Sequence, residues 1–275
     1  MIGFPDDLGI QNVGGRMGAR QGPGSFLESF LKIKGKNDVH GRLSTTEMVE
    51  MTSQLAENYD RSIGSVEKMR RETPGTTLVV VGGGHDYAYP WIRGVVQSNA
   101  KKKKVGCLNI DAHFDLREYQ PLMTSGSPFR RVLDEKWMQG SHLVEFGIQK
   151  HCNVPGLWDY AKRAKIRVYP FETLRNGAAV SKFKAALRAL TKTCDEVLLS
   201  VDLDALAFAH CPGVSAPQGE GFTGSELYQM LEIAGADKKV TSLGIFELSP
   251  PLDVQNLTSR LAAQAAWHFL DAKLF

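Results

Sequence analysis

The sequence has few cysteines and no long apolar run, and these two features exclude several classes of protein. Only four cysteines occur among 275 residues, far apart and without a C-x-x-C pair, so neither a disulfide framework nor a zinc knuckle is expected. No stretch reaches the roughly 18 apolar residues of a membrane helix, and the chain does not begin with a basic segment followed by an apolar one. We therefore expect a cytoplasmic protein with reduced thiols and no membrane partner.

Neither positive nor negative charge predominates in the sequence. Lys and Arg number 33 against 30 Asp and Glu, which leaves a net charge of +3, too small to indicate a nucleic-acid partner. The lysine run at residues 101–104 has no interleaved aromatic residues, and we interpret it as a solvated turn. No internal repeat or low-complexity linker divides the chain. These features predict a single domain over residues 1–275.

Short apolar runs alternate with helical patterns along the chain. The runs lie at residues 2–4, 77–81, 105–110, 143–148, 166–169, 197–201 and 240–248. Helical patterns lie at residues 47–71, 87–96, 182–190 and 261–270, and Ser44-x-x-Glu47 and Thr223-x-x-Glu226 have the form of capping boxes. The glycine-rich residues 9–24 have the length of a loop. The alternation predicts an α/β fold with three αβα layers around a doubly wound, mostly parallel sheet.

Ionisable residues follow three of the predicted strands. The segments are Gly82-Gly83-Gly84-His85-Asp86, Asp111-Ala112-His113-Phe114-Asp115 and Asp202-Leu203-Asp204. Side chains at positions i and i+2 of an extended chain point to the same side. Since ligands of open α/β sheets bind at the carboxyl ends of the strands, these groups are expected to converge there.

Four converging aspartates require positive charge. No Lys or Arg lies within the three motifs, and buried carboxylates without partners cost many kcal/mol. Two divalent cations would balance the four negative charges, as in two-metal hydrolases. Carboxylates with two imidazoles and no thiolate favour Mn²⁺ over Zn²⁺. A single Asp-x-Asp is more simply a turn or a solvated strand end, but three such motifs together predict two manganese ions and a hydrolase.

The sequence also resembles the ureohydrolase superfamily, which comprises arginases, agmatinases and formimidoylglutamases, over nearly its whole length. The matching segments, besides the three motifs, are Gly3-Phe4-Pro5-Asp6-Asp7, Asn12-x-Gly14-Gly15-Arg16 and Pro212-Gly213-Val214-Ser215-Ala216-Pro217. The resemblance implies an arginase-like fold and a homo-oligomer. It also implies one Mn²⁺ held by His85, Asp111, Asp115 and Asp202, and a second held by Asp111, His113, Asp202 and Asp204.

The resemblance further implies the catalytic roles. Water activated by the two ions would attack an amidine carbon, Asp115 would relay a proton to the leaving amine, and Glu247 would pair with the cationic amidinium. From its position after a predicted strand alone, Glu247 is simply a strand-end charge.

Two departures from the superfamily pattern concern the substrate. Arginases and agmatinases usually carry His-Gly after the Ser-Gly segment, but here Ser125-Gly126 continues as Ser127-Pro128. Their third motif usually continues into Asp-Pro, whereas here Ala205 follows Asp204. Both features resemble formimidoylglutamase, which hydrolyses N-formimino-L-glutamate to glutamate and formamide in histidine breakdown.

Other substrates stay open at this point. Formimidoylglutamases generally carry a few dozen residues ahead of the first strand, whereas here that strand begins at Ile2. An agmatinase, arginase or guanidino-acid hydrolase would release urea instead, and a catalytically silent homologue would act as a binding module. Arginines at positions 16, 20, 117 and 130 lie in predicted loops near the site. We predict that Arg117 and Arg16 contact a substrate carboxylate through their guanidinium groups, with ordinary solvated arginines as the alternative.

Overall fold

The computed structural model describes residues 1–99 and 103–275. In this part of the chain the strands are β1 (Ile2–Phe4), β2 (Glu47–Met48), β3 (Leu78–Gly82), β4 (Val105–Ile110), β5 (Leu143–Ile148), β6 (Arg167–Pro170), β7 (Glu196–Asp202) and β8 (Val240–Phe246). The α-helices are α1 (Leu8–Asn12), α2 (Gly22–Leu31), α3 (Leu55–Glu72), α4 (Ala88–Ser98), α5 (Pro128–Asp134), α6 (Pro155–Arg163), α7 (Ala179–Thr191), α8 (Gly224–Ala236) and α9 (Leu257–Leu274).

The strands form one sheet in the order β2-β1-β3-β8-β7-β4-β5-β6, and the pairings between these strands are parallel. After β3 the chain crosses to β4, and it later returns to place β7 and β8 between the two. The carboxyl ends of β3, β8, β7 and β4 therefore lie side by side where the winding direction reverses, which is where ligands bind in such sheets.

Helices cover both faces of the sheet. One hydrophobic core lies under α2, α7, α8 and α9, and the other lies under α3, α4, α5 and α6. Successive strand residues alternate between the cores, so that Leu108 and Ile110 of β4 join the first and Cys107 joins the second. Burial on both faces explains the continuous apolar runs. The predicted three-layer, doubly wound architecture is confirmed.

The helix expected from residue 47 begins later, and that prediction was wrong at its start. Glu47 and Met48 form the edge strand β2, whose backbone continues the sheet: Glu47 N donates to Met1 O at 3.0 Å and Val49 N donates to Gly3 O at 3.0 Å. Helix α3 begins only at Leu55. The main-chain partners come from β1, so a local helical pattern could not reveal them.

The boundaries of other predicted elements differ less from those in the structure. The stretch 9–24, expected as a loop, contains most of α1 and the start of α2. Helices α5 and α6, which begin with Pro128 and Pro155, were not predicted.

Among the described residues, no helix has the length and apolar character needed to cross a bilayer. Two lysines of the 101–104 run, Lys101 and Lys102, lie outside the described residues, and Lys103 Nζ lies 3.4 Å from Glu196 Oε2.

The predicted capping box at the start of α8 is confirmed. Thr223 Oγ1 accepts a hydrogen bond from Glu226 N at 3.2 Å, and Glu226 Oε2 accepts one from Thr223 N at 2.9 Å. We expect Thr223→Ala to lower the free energy of unfolding by about 1 kcal/mol, because the helix loses a side-chain acceptor for its first N–H groups. Chemical denaturation measures the change. Thr223→Ser keeps the hydroxyl and is the control, and equal midpoints for the Ala variant and the unsubstituted protein would contradict the prediction.

Candidate metal centre

A close approach of two loops places His85 at the sheet edge. After β3, Gly83 N donates to Phe4 O at 2.8 Å and Gly84 N donates to Asp6 O at 3.1 Å. A Cβ atom on Gly83 would lie 1.6 Å from Asp6 O, so only glycine fits there. The tight turn starts a single 3₁₀ turn with His85 as its first residue.

The first group of candidate ligands surrounds the His85 ring. His85 Nδ1 lies 3.1 Å from Asp111 Oδ2, 2.9 Å from Asp115 Oδ2 and 3.0 Å from Asp202 Oδ2. All four side chains are buried. Their ligand atoms lie within 4.8 Å of one another, close enough to hold one cation.

The second group adjoins the first and shares Asp111 with it. His113 Nδ1 lies 3.6 Å from Asp111 Oδ1 and 3.2 Å from Asp204 Oδ2. Asp111 thus presents one oxygen to each group, as a bridging ligand does. Asp202 joins the first group, while its Oδ1 accepts a hydrogen bond from Asp204 N at 2.8 Å. Bridging by Asp202 stays a prediction.

Two buried atoms of the groups lack a protein partner and fit a bound cation. Among the described residues, neither His85 Nδ1 nor Asp204 Oδ1 has a hydrogen-bond partner. The other ring nitrogen, His85 Nε2, lies 2.8 Å from Ser200 Oγ. If Nε2 donates to that hydroxyl, Nδ1 faces three carboxylate oxygens with its lone pair. A divalent cation bound between His85 Nδ1 and these three oxygens would accept a lone pair from each of them.

The electrostatics indicate the same need for positive charge. Burial and the carboxylates of Asp204 and Asp111 raise the pKa of Asp202 well above its usual value. Burial is also the main cause that raises the pKa of Asp204 to about 6. Burial opposes protonation of His85, yet the nearby carboxylates of Asp111, Asp115 and Asp202 hold its pKa well above the usual value. Without metal, the cluster therefore retains protons, and a cation would replace them.

Glu247 follows β8 and lies beside the first group. Its N–H donates to Gly83 O at 2.8 Å, and its Oε1 accepts from His85 N at 2.9 Å. Burial and the nearby Asp202 raise the pKa of Glu247 well above its usual value. Glu247 has φ 68° and Asp115 has φ 50°, a left-handed backbone that costs about 1–3 kcal/mol outside glycine. Such geometry directs both side chains toward the site and leaves no mark in the local sequence.

A cavity of about 290 Å³ opens onto the two groups. Its lining includes His113, Asp115, Asp202, Asp204 and Glu247, together with residues 13–16, Arg117, Ser125, Gly126, Ser215 and Ala216. The surrounding loops hold one another: Ser125 N donates to Gly9 O at 3.0 Å and Arg117 N donates to Gly126 O at 2.9 Å. The size of the cavity suits a small molecule.

The four arginines expected near the site differ in their surroundings. Arg117 lines the cavity, and its guanidinium has no ion pair or hydrogen bond among the described residues. Arg16 also lines it, but its Nε donates to Ser215 O and its Nη2 to Val214 O, both at 2.9 Å. The other two lie outside the cavity lining: Arg20 pairs with Asp7 at 3.3 Å, and Arg130 pairs with Asp134 at 2.8 Å.

The sequence-based predictions missed three buried polar residues beneath the two groups. Asn109, Glu145 and Ser200 lie within β4, β5 and β7 and are fully buried. Each interrupts an apolar stretch of its strand, in VGCLNI, in LVEFGI and in the VLLSV part of EVLLSVD. A polar residue inside a buried strand is the signal that could have revealed them.

Comparison with known proteins decides the family. The model of the arginase family matches residues 1–271. The chain belongs to the arginase family. A formimidoylglutamase of Legionella pneumophila (strain Lens) is 32% identical over 279 residues, covering 98% of this chain and 84% of the relative. One of Rhodococcus jostii (strain RHA1) is 31% identical, covering 96% and 82%.

Solved structures agree with this assignment. The structure of Trypanosoma cruzi formiminoglutamase with Mn²⁺ has a TM-score of 0.88 and 27% identity to this chain, and the match covers 98% of this chain and 91% of the other. The resemblance seen in the sequence motifs is thus confirmed, and the His/Asp cluster of this chain lies in an arginase-family fold.

We expect Asp202→Asn to remove most of the bound manganese, because the variant loses a negative charge from the centre of the cluster. Elemental analysis of the purified protein after manganese loading measures the content. Asp134→Asn, which changes a carboxylate paired with Arg130 outside the cavity lining, is the matched control and is expected to keep its metal. A folded Asp202→Asn variant with two ions per chain would contradict the bridging role.

Proposed function

We propose that this arginase-family chain is a binuclear manganese hydrolase that converts N-formimino-L-glutamate and water to L-glutamate and formamide. The observation that carries the proposal is the pair of His/Asp groups that share Asp111 at the base of a small cavity. Relatives named formimidoylglutamase support the substrate. A relative's structure with Mn²⁺ supports the metal.

The ligand assignment follows the two groups. His85, Asp111, Asp115 and Asp202 would hold the first ion, and Asp111, His113, Asp202 and Asp204 would hold the second. Two divalent ions balance the four aspartates in charge. When bound, such a pair supplies a water molecule of lowered pKa as the nucleophile near neutral pH.

The chain's own side chains would then handle charge and protons. Glu247 lies at the cavity wall and would pair with the cationic amidinium, holding its carbon near the ligand groups. Asp115 lines the same cavity and would pass a proton through its carboxylate to the departing nitrogen. The C–N bond to that nitrogen breaks, the nitrogen becomes the amino group of glutamate, and the carbon leaves as formamide.

Arg117 and Arg16 would bind the carboxylates of the substrate. Arg117 lines the cavity, and its guanidinium has no ion pair or hydrogen bond among the described residues, which suits a two-pronged contact with a carboxylate. Arg16 uses Nε and one hydrogen of Nη2 on the loop carbonyls of Ser215 and Val214, so Nη1 and the second hydrogen of Nη2 are left for the substrate. Its larger contribution is to hold two loops of the cavity together.

We further propose that the enzyme acts in the cytoplasm as a homo-oligomer, without a nucleic-acid partner. All four cysteines, Cys107, Cys152, Cys194 and Cys211, are free thiols, as a reducing compartment favours. The family resemblance supports the oligomer.

Products distinguish the proposed reaction from its alternatives. Manganese-loaded protein is incubated separately with N-formimino-L-glutamate, agmatine and arginine, and formamide and urea are measured. We expect formamide from the first substrate and negligible urea from the other two. Urea release without turnover of the formimino compound would indicate a guanidine hydrolase, and no turnover with two ions bound would indicate a silent binding module.

We expect Arg117→Ala to raise KM for N-formimino-L-glutamate by about 10-fold or more with a smaller change in kcat, because a charged hydrogen-bonded contact contributes about 1.5–3 kcal/mol. Steady-state kinetics measure both constants. Arg130→Ala is the matched control, since that arginine pairs with Asp134 and does not line the cavity. An unchanged KM in the Arg117 variant would remove this residue from the substrate site.

A further inference from the structure

A row of three polar side chains crosses the sheet beneath the candidate ligands. Asn109 of β4 is in register with Glu145 of β5 on one side and with Ser200 of β7 on the other. We call Glu145, Asn109 and Ser200 the polar row. All three are fully buried, whereas the preceding residues on the same face, Leu143, Cys107 and Leu198, belong to a hydrophobic core. Buried polar groups in such a face cost free energy unless they are hydrogen-bonded, so the partners of these three side chains identify what the groups do.

The polar row contacts the candidate metal ligands from the side nearer the amino ends of the strands. Ser200 Oγ lies 2.8 Å from His85 Nε2. Asn109 Nδ2 donates to Asp111 Oδ2 at 3.1 Å, the oxygen that faces His85 Nδ1. Asp111 Oδ1 accepts from His113 N at 2.7 Å. Both oxygens of the shared carboxylate are therefore fixed by donors, which sets the direction in which each one faces its group.

Glu145 determines the orientation of the Asn109 amide. Asn109 Nδ2 donates its second hydrogen to Glu145 Oε2 at 2.9 Å. Two carboxylates thus accept from the same nitrogen, and a flipped amide would place Asn109 Oδ1 against both. Glu145 Oε1 has no hydrogen-bond partner among the described residues, and burial raises the pKa of Glu145 well above its usual value. The chain retains a costly buried acid whose hydrogen-bond contact is with Asn109.

We propose that Asn109 is a positioning residue for Asp111, and that Glu145 acts through Asn109 by fixing its amide. The inference rests on the proposed metal site. Groups that hydrogen-bond to metal ligands orient them, and their loss typically weakens metal binding about 10–100-fold. Neither Asn109 nor Glu145 touches the cavity, so their effect is expected in metal affinity ahead of substrate binding.

The test measures Mn²⁺ affinity and stability separately. Metal-free protein is titrated with Mn²⁺ in a calorimeter, and thermal unfolding without metal gives the midpoint. The variants are Asn109→Leu, Glu145→Met, the double variant and Glu145→Gln, with Asn109→Ser if Asn109→Leu fails to fold. Val144→Ala is the matched control, because Val144 precedes Glu145 in β5 but packs into the opposite core.

We expect Asn109→Leu and Glu145→Met to raise the Kd for Mn²⁺ by about 10–100-fold. Glu145→Gln keeps an acceptor oxygen and is expected to change Kd by less than about 3-fold. In the double variant neither Asn109 nor Glu145 remains to lack the other, so the unfolding midpoint is expected to recover relative to the single variants. The Kd for Mn²⁺ stays high because Asp111 still lacks its donor. Val144→Ala is expected to lower the midpoint without changing Kd.

Three outcomes would overturn the inference. Unchanged Mn²⁺ affinity in a folded Asn109 variant would show that Asp111 needs no support from it. Recovery of both Kd and midpoint in the double variant would show that the pair serves the fold alone. If the unsubstituted protein binds no Mn²⁺, the proposed function fails together with this inference. If the unsubstituted protein binds Mn²⁺ and turns over its substrate, and the variants keep the same Mn²⁺ affinity, this inference alone fails.

Discussion

Repulsion among buried carboxylates at one sheet edge is the constraint on which the rest of the site depends. Asp111, Asp115, Asp202 and Asp204 lie together with Glu247 where water is largely excluded. In that environment the charges raise several of each other's pKa values, and the two histidines are held toward the protonated form. The arrangement requires positive charge, which bound divalent cations would supply.

The sheet topology creates this concentration of charge. Since β7 and β8 are inserted between β3 and β4, residues distant in the chain end at one place and face one cavity. The two helical layers bury both faces of the strands, and the cavity lies at the carboxyl ends. Tight main-chain contacts such as that of Gly83 with Asp6 then bring His85 close enough to share the carboxylates.

The site is layered along the strand direction, and each layer has its own chemistry. Ligand groups occupy the edge, the polar row of Glu145, Asn109 and Ser200 lies below them, and arginines lie in the loops above. The cavity wall therefore combines negative and positive groups, which the proposed function assigns to a cationic amidine and to carboxylates. A small zwitterionic molecule with both features at its ends matches this distribution better than a polymer.

The sequence by itself determined the sheet type and the chemistry at its edge. The apolar runs at residues 105–110 and 143–148 match β4 and β5 to the residue, because strands buried on both faces need continuous apolar sequence, and the box at Thr223 needs only local hydrogen bonds. Tertiary structure alone decided what depends on distant partners. Glu47 became strand because β1 offers it main-chain groups, and Glu145 reaches Asn109 because the register of β4 and β5 aligns them. Hydrophobic periodicity and capping depend on residues close together in the sequence. Which atoms come into contact depends on strand order and register.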